Sequence, residues 1–419
     1  MHEKTSYTIL LTGSTGNFGA YLVDTLLAQL NIVKIICLNH SANASERQQV
    51  AHVQRGLVNL SSEQRIQFMN ATFDEERLGL SAMDYSILLD TVDLVVHNGW
   101  PVDFNRNFSS FKPSIDGVQH LIDLCLARSR RNHQSSSARE RPSIPDRQEP
   151  PIKLLFISSI GATSNWGSAA PSARAEIPEV ELTDWKVART GYGQSKLVSE
   201  RLLAHASRTF YLPVSIVRVG QLAGPVLHGE HGRWPEQEWL PSLIRSSLAL
   251  RVLPENLGPA EVVDWVPADI AARVVVELCT DLLRRPFAQG SMKRETKKAQ
   301  EARFFHMVNP RATHWKDLVP VIRRYMPSDV NPITFVQWVD HLKQSAQETD
   351  GFQGVDGDAN PAVELIDFFD NLQDRAIRLP KTRTSPLETK KTVKVSGTLA
   401  QLQEVGPEWV ELWMRQWNL

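Results

Sequence analysis

Six short apolar runs set the rhythm of the chain: "YTILLT" (7–12), "VKIICL" (33–38), "IQFMNA" (66–71), "VDLVVHN" (92–98), "KLLFIS" (153–158) and "VSIVRVG" (214–220). Each has strand length and is bounded by polar or turn-forming residues. Longer stretches at helical spacing separate them, around 17–30, 43–59, 81–90, 111–128 and 191–207. Strand alternating with helix predicts an α/β protein with a doubly wound parallel sheet covered on both faces. After residue 225 the alternation fades, and Trp, Pro and helical patterns dominate. Residues 1–224 are therefore expected to form the sheet domain. Residues 225–419 are expected to form a smaller, mainly helical region, with room for some of its elements to return to the sheet. The terminal "GPEWVELWMRQW" predicts a helix with its aromatics on a buried face.

Three segments break the pattern. Residues 129–151 are polar and Pro-rich, 290–303 are basic, and 345–360 are rich in Gly, Asp and Gln. All three read as solvated loops, the basic one with the alternative of a docking patch for an acidic partner. The totals narrow the class only a little. Lys+Arg (46) and Asp+Glu (47) nearly cancel, so no net field favours nucleic acid or an anionic membrane surface. Cys37, Cys125 and Cys279 show neither a disulfide framework nor metal-ligand spacing, which suits a reducing compartment. No run reaches membrane-span length, and no signal peptide opens the chain, so a cytoplasmic location is expected.

The first strand runs into "LLTGSTGNFGAYL", a G-x-x-G-x-x-G turn formed by Gly13, Gly16 and Gly19. The first glycine permits the tight turn, the second lets the backbone approach a pyrophosphate, and the third lets the helix pack on the strand. In this strand–turn–helix context the triplet points to a Rossmann-type dinucleotide site. The second strand ends in "CLNHSANASERQQ". No carboxylate stands there to hold ribose hydroxyls. Asn39 and His40 take its place, and Arg47 follows, which favours NADPH over NADH.

Tyr192 and Lys196 in "RTGYGQSKLVSERLL" are four residues apart at the start of a predicted helix, on one face. An ammonium one turn from a phenol stabilises the phenolate and tunes it as a proton donor to a carbonyl oxygen. "LLFISSIGATS" offers Ser158 and Ser159 at the end of the fifth strand to orient that oxygen. A lone Y-x-x-x-K is common by chance. Its occurrence after a glycine turn and a serine-ended fifth strand carries the catalytic reading.

"TGSTGNFG", "HNGWPVDF", "FISSIGATS", "TGYGQSK", "VRVGQLAGP", "VDWVPADIAA" and "FHMVNPRATHWKDLVP" occur in an order that resembles extended short-chain dehydrogenase/reductases. More narrowly, the chain resembles the thioester reductase domains of nonribosomal peptide synthetases, polyketide synthases and carboxylic or aminoadipic acid reductases, of fungal type. The resemblance implies NADPH-dependent reductive release of an acyl or peptidyl thioester as an aldehyde, with onward reduction to an alcohol left open. It implies as partner a carrier protein bearing phosphopantetheine, fused upstream in the native enzyme, with the isolated domain a monomer. It implies that Thr12, Gly13, Ser14, Thr15, Gly16, Asn17, Phe18 and Gly19 hold the pyrophosphate. Asn98, Gly99 and Trp100 line the ribose and nicotinamide side, and Val219, Gly220 and Gln221 approach the nicotinamide. Ser159, Tyr192 and Lys196 form the catalytic set, with Ser158 the fallback for Ser159. "HGRWPEQEWLP" (231–241) is a candidate lining of the acyl pocket, core packing being the alternative for its aromatics.

The chain departs from the family pattern in places. His40 stands where an arginine is usual, Gly99 and Trp100 replace the usual small residues after "HN", Ser114 replaces an asparagine, and "NATFDE" lacks the Gly-Asp pair of the adenine loop. Three other functions compete: a reductase or epimerase acting on a small soluble substrate, a non-redox cyclising release domain, and a cofactor-sensing protein without turnover. The late motifs weigh against the first, and the intact Tyr192 and Lys196 against the other two.

Overall fold

Alternation along the first strand explains the layering of the molecule. In β1 (Tyr7–Thr12), Ile9 and Leu11 enter one hydrophobic core and Leu10 enters the other. In β2 (Ile32–Asn39), Ile35 and Cys37 join the first core, Ile36 and Leu38 the second. A strand buried on both faces reads as a continuous apolar run, which is why these segments stood out in the sequence. The computed structural model describes residues 4–135, 150–166, 176–286, 301–350, 360–378 and 385–419.

The remaining sheet strands are β3 (Ile66–Asn70), β4 (Leu94–His97), β5 (Lys153–Ser159), β6 (Val214–Val219) and β7 (Arg303–Met307). All neighbours are parallel, in the order β7-β6-β5-β4-β1-β2-β3. The order reverses between β1 and β4, so a crevice opens at their C-terminal ends, where ligands bind in such sheets. On the first face lie α1 (Asn17–Leu27) and α2 (Ala44–Gln54); on the other lie α3 (Ala82–Thr91), α4 (Lys112–Ser135) and α5 (Gly191–Phe210).

Elements from beyond residue 225 return to these layers. Strand β7 extends the sheet beside β6, the helix Ala268–Arg284 packs against α1, and Leu399 and Leu402 join the first core. Much of the remaining C-terminal half has its own core around Trp234, Trp265, Trp315, Trp338, Trp413 and Trp417. Three of its indole N–H groups find backbone or hydroxyl acceptors: Trp315 on Pro254 O at 2.8 Å, Trp338 on Ser247 Oγ at 3.0 Å, Trp413 on Gly224 O at 3.0 Å. The terminal helix Pro407–Gln416 buries Val410, Trp413 and Met414, as its spacing predicts.

Of the three segments read as loops, 136–149, 290–300 and 351–359 lie outside the described residues. Their flanks are more regular than expected: α4 continues to Ser135, and the helix Phe335–Asp350 runs through Asp350. Cys37, Cys125 and Cys279 are free and buried, and burial pushes the Cys37 thiol up to about 12. Among the described residues no helix is long and apolar enough to cross a membrane.

Candidate active site

The turn after β1 uses its glycines in different ways. Gly13 has φ +67°, a left-handed conformation, and a Cβ there would stand 2.6 Å from Gly99 Cα. A Cβ on Gly19 would overlap the Gly13 carbonyl oxygen, so only glycine allows α1 to lie this close to the turn. Gly16 is the N-cap of α1 and makes no side-chain cap, leaving the N–H groups of the first turn free for an anion. The cradle therefore suits the pyrophosphate of a dinucleotide.

Thr12 ties this turn to the end of β4. Its Oγ1 accepts from Asn98 N at 3.1 Å and Gly99 N at 2.9 Å, and pairs with His97 Nδ1 at 2.8 Å. Asn98 Nδ2 donates to Gly13 O at 3.1 Å. With two donors already on its oxygen, the Thr12 hydroxyl gives its proton to His97, which stays neutral. Burial, with the nearby Lys196 charge, pushes the His97 pKa down to about 3. Thr15 is half-buried at the turn, whereas the Phe18 side chain enters the core, so only its backbone faces the cradle. Asn39 is buried and donates to Ser14 Oγ at 3.1 Å, fixing the turn against β2. His40 and Arg47 are exposed beyond it, His40 edge-on to Phe73 at 4.8 Å.

Backbone packing also places the Tyr192 helix. Thr190 caps α5, its Oγ1 accepting from Gly193 N at 3.1 Å. A Cβ on Gly191 would overlap the Arg106 carbonyl, and one on Gly193 the Gly161 carbonyl. The two glycines of "GYG" thus press the helix onto two neighbouring backbones, and Tyr192 is fixed between them. Its ring is buried, edge-on to Phe104 at 5.2 Å and Phe111 at 6.1 Å.

The adjacent serines of β5 take different partners. Ser159 accepts from Gly161 N at 3.0 Å, and its hydroxyl lies near enough to Tyr192 to lower the pKa of the phenol. Ser158 donates to Glu200 Oε1 at 2.6 Å, and Glu200 in turn is paired with Arg218 at 2.8 Å, both fully buried. Lys196 donates to Ile157 O at 2.7 Å and lies 4.2 Å from the Trp100 ring centroid and 4.6 Å from that of Phe156. Burial raises the Tyr192 pKa, opposed by the Ser159 hydroxyl, and drives that of Lys196 well below its usual value, opposed by Glu200. The expected phenolate stabilisation by lysine is therefore outweighed here, because Nζ sits 6.0 Å from the Tyr192 ring and bonds elsewhere. A phenol held protonated beside a hydroxyl is a hydrogen-bond and proton donor.

On the far wall, Val219 ends β6, and Gly220 admits Val308, whose Cγ1 would lie 2.6 Å from a Cβ. Gln221 Oε1 accepts from Trp239 Nε1 at 2.8 Å. Trp239 meets Phe368 at 5.9 Å, and Phe368 meets Phe104 at 6.1 Å. The segment 231–241 thus divides: Trp234 belongs to the C-terminal core, Trp239 to the wall beyond Tyr192. Ser114 is half-buried in the first turn of α4. Phe104, Phe111, Phe368, His97 and the close contacts of Gly161, Gly191 and Gly193 escaped the sequence reading. Only the glycine spacing in "TGYG" signalled any of them.

A carboxylic acid reductase of Neurospora crassa is 33% identical over 411 residues, 98% of this chain and 35% of that protein. The chain therefore spans about a third of that relative. The terminal R domain of the myxalamid PKS-NRPS pathway has the same fold, with TM-score 0.70, 20% identity, and coverage of 98% of this chain and 90% of that one. So does the thiolation-reductase di-domain of an archaeal non-ribosomal peptide synthetase, with TM-score 0.69, 19% identity and coverage of 98% and 75%. Residues 11–275 match the model of the NAD-binding family described as Male sterility protein, and with that match over more than half its length the chain belongs to this family.

Proposed function

We propose that the chain is an NADPH-dependent thioester reductase that releases an acyl or peptidyl group from a phosphopantetheine-bearing carrier protein as an aldehyde. The observation that carries the reading is the placement of buried Tyr192 and Ser159 together against Gly161 at the C-terminal end of β5, on the sheet edge where β1 ends in the glycine turn. NADPH bound along Thr12–Gly19 supplies the hydride. Exposed His40 and Arg47 favour its 2′-phosphate, since Asn39 offers no carboxylate to the ribose. Asn98, Gly99 and Trp100 line one side of the nicotinamide half, and Val219, Gly220 and Gln221 the other.

In this reading Ser159 and Tyr192 hold the thioester carbonyl oxygen through their hydroxyls. As charge develops on that oxygen, both bonds strengthen, and Tyr192 gives up its proton. The hemithioacetal then collapses, its C–S bond breaking to leave the aldehyde and the carrier thiol. Lys196 is held by Ile157 O on the Tyr192 face of α5, and Ser158 serves the buried Glu200 rather than substrate. The relatives named above motivate the carrier partner, placed upstream in the longer protein.

Tyr192→Phe keeps the ring between Phe104 and Phe111 and removes only the hydroxyl. NADPH oxidation with an acyl-pantetheine thioester should fall by about 10²–10⁴-fold, the usual weight of a general acid. NADPH binding should remain unchanged, and NADH should be the poorer donor. Thioester loss without NADPH oxidation would overturn the reductive reading, and turnover of free ketones alone would overturn the carrier-bound substrate.

A further inference from the structure

The segment 228–239 connects parts of the site that the proposed reaction uses separately. Trp234 is buried, and its Nε1 donates to Glu238 Oε2 at 2.8 Å. The other carboxyl oxygen, Oε1, accepts from Asn17 Nδ2 at 2.9 Å. Asn17 is the first residue of α1, directly after the glycine turn, and its Oδ1 accepts from Arg55 Nε at 3.3 Å. One turn further on α1, Tyr21 donates to Arg233 O at 3.4 Å and packs against His228 at 6.0 Å. The next residue of the segment, Trp239, bonds Gln221 on the opposite wall. A single carboxyl thus joins the phosphate turn to the segment that frames the nicotinamide side.

The position has an electrostatic consequence. A carboxylate near the N-terminus of α1 and an anion bound on the turn draw on the same positive end of the helix. Placed together they repel, and protonation of the carboxylate relieves the repulsion. The charged and titratable groups around Glu238 are Arg55 from the end of α2, the Tyr21 phenol from α1 and Arg233 from its own segment. Glu236 is taken by Arg245 at 2.9 Å, and Asp269 lies beyond Tyr21, accepting from Val226 N and Leu227 N. Burial outweighs the bonds from Trp234 and Asn17 and the charge of Arg55, and lifts the Glu238 pKa to about 7.

We propose that Glu238 is a positioning residue for the dinucleotide, and that it takes up a proton as the pyrophosphate arrives on the turn beside Asn17. The inference rests on the glycine turn being the dinucleotide site. Neutral Glu238 keeps its place between Trp234 and Asn17 without opposing the phosphates, so the 228–239 segment stays docked on the loaded turn. Affinity then falls as pH rises above the free enzyme's value, where an ionised carboxylate must be protonated for binding.

The test is calorimetric titration of the chain with NADPH from about pH 7 to about pH 8.5 in two buffers of different ionisation enthalpy. NADH is run beside it, because a 2′-phosphate titrates itself at about pH 6. Wild type should take up as much as about one proton with either cofactor, and Kd should rise by as much as about tenfold per pH unit. Glu238→Gln should bind with no uptake and a flat pH profile. Asn17→Ser removes a bond that favours the carboxylate and should move the profile to higher pH. It decides the matter where Glu238→Gln fails to fold. Binding without proton uptake, an unchanged slope in Glu238→Gln, or an unmoved profile in Asn17→Ser would overturn the inference alone. Failure of the folded wild type to bind either cofactor would overturn the dinucleotide site with it.

Discussion

At the turn after β1, a Cβ on Gly19 would overlap a carbonyl oxygen, and one on Gly13 would stand 2.6 Å from Gly99 Cα. Across the site, Phe104 is 47% exposed and meets Phe368 and Tyr192 only through ring edges and tilted faces. The first wall consists of backbone in contact with backbone, where an added methyl has nowhere to go. The second consists of side chains that can exchange for others of similar volume. A site with one rigid and one exchangeable wall suits a fixed cofactor and a varied acyl group. The contrast can be broken at the frame under the rigid wall, at the wall itself, or on the exchangeable side, with effects that should decrease in that order.

The frame is the buried Glu200–Arg218 pair. Arg218 Nε and NH2 donate to Glu200, NH1 faces His306 Nε2 at 3.1 Å, and NH2 also donates to Val180 O at 3.1 Å. These bonds hold α5, the end of β5 through Ser158, and β7 together. Arg218→Met leaves a fully buried carboxylate without its partner, which should cost about 3–5 kcal/mol in urea unfolding. The double variant Glu200→Met/Arg218→Met should recover much of that loss, because the desolvated charge is gone. An Arg218→Met protein as stable as wild type would show that the frame is not what fixes the Tyr192 helix.

How far the sequence foretold these regions follows the same contrast. The rigid wall was legible because its constraint is local. Gly16 and Gly19 need only their own strand and helix to acquire their roles, and Tyr192 and Lys196 need only one helical turn, whereas the approach of Gly13 to Gly99 joins two strands and was not foreseen. The choice of Ser159 over Ser158 came from the family resemblance and was not legible in the pattern of the chain. Alternation along β5 sends them to opposite sides, but which side holds Tyr192 is decided by Glu200 and Arg218, and the latter lies on another strand. The exchangeable wall was least legible, since Phe104 and Phe368 are distant in sequence and meet only through tertiary packing. Trp234 and Trp239 share one short motif, yet Trp234 is fully in the C-terminal core, whereas Trp239 packs at its margin and reaches Gln221 and Phe368. Strand β7 was seen as part of the motif "FHMVNP" but not as a strand, because its alternation is short and its hydrogen-bonding partner, β6, is remote.

At the rigid wall, Gly19→Ala forces α1 away from the Gly13 carbonyl. A displacement of about 1 Å at a positioning element is enough to lower turnover by about 10²-fold. The loss should appear in dinucleotide affinity as well as turnover, with the thioester KM little changed. Titration with NADPH beside steady-state kinetics separates the two. Near-normal affinity would mean that the turn has slack its geometry does not show.

On the exchangeable wall, Phe104→Ala removes the edge contact to Tyr192 and the contact to Phe368. An aromatic pair contributes about 0.5–1.5 kcal/mol beyond the area it buries, so a change of severalfold is expected. Because Phe104 meets Tyr192 as an edge-on ring contact, the effect should fall on the thioester KM and on preference among acyl chains. Cofactor affinity should not move, since the rings that Phe104 meets, Tyr192 and Phe368, lie outside the turn. Replacing Phe104 with Leu should restore most of the KM for a linear acyl chain by refilling the volume. It should do less for a planar one, which would lose the ring face. A drop in kcat equal to that of Tyr192→Phe would instead show that Phe104 fixes the phenol, and that this wall is as rigid as the other.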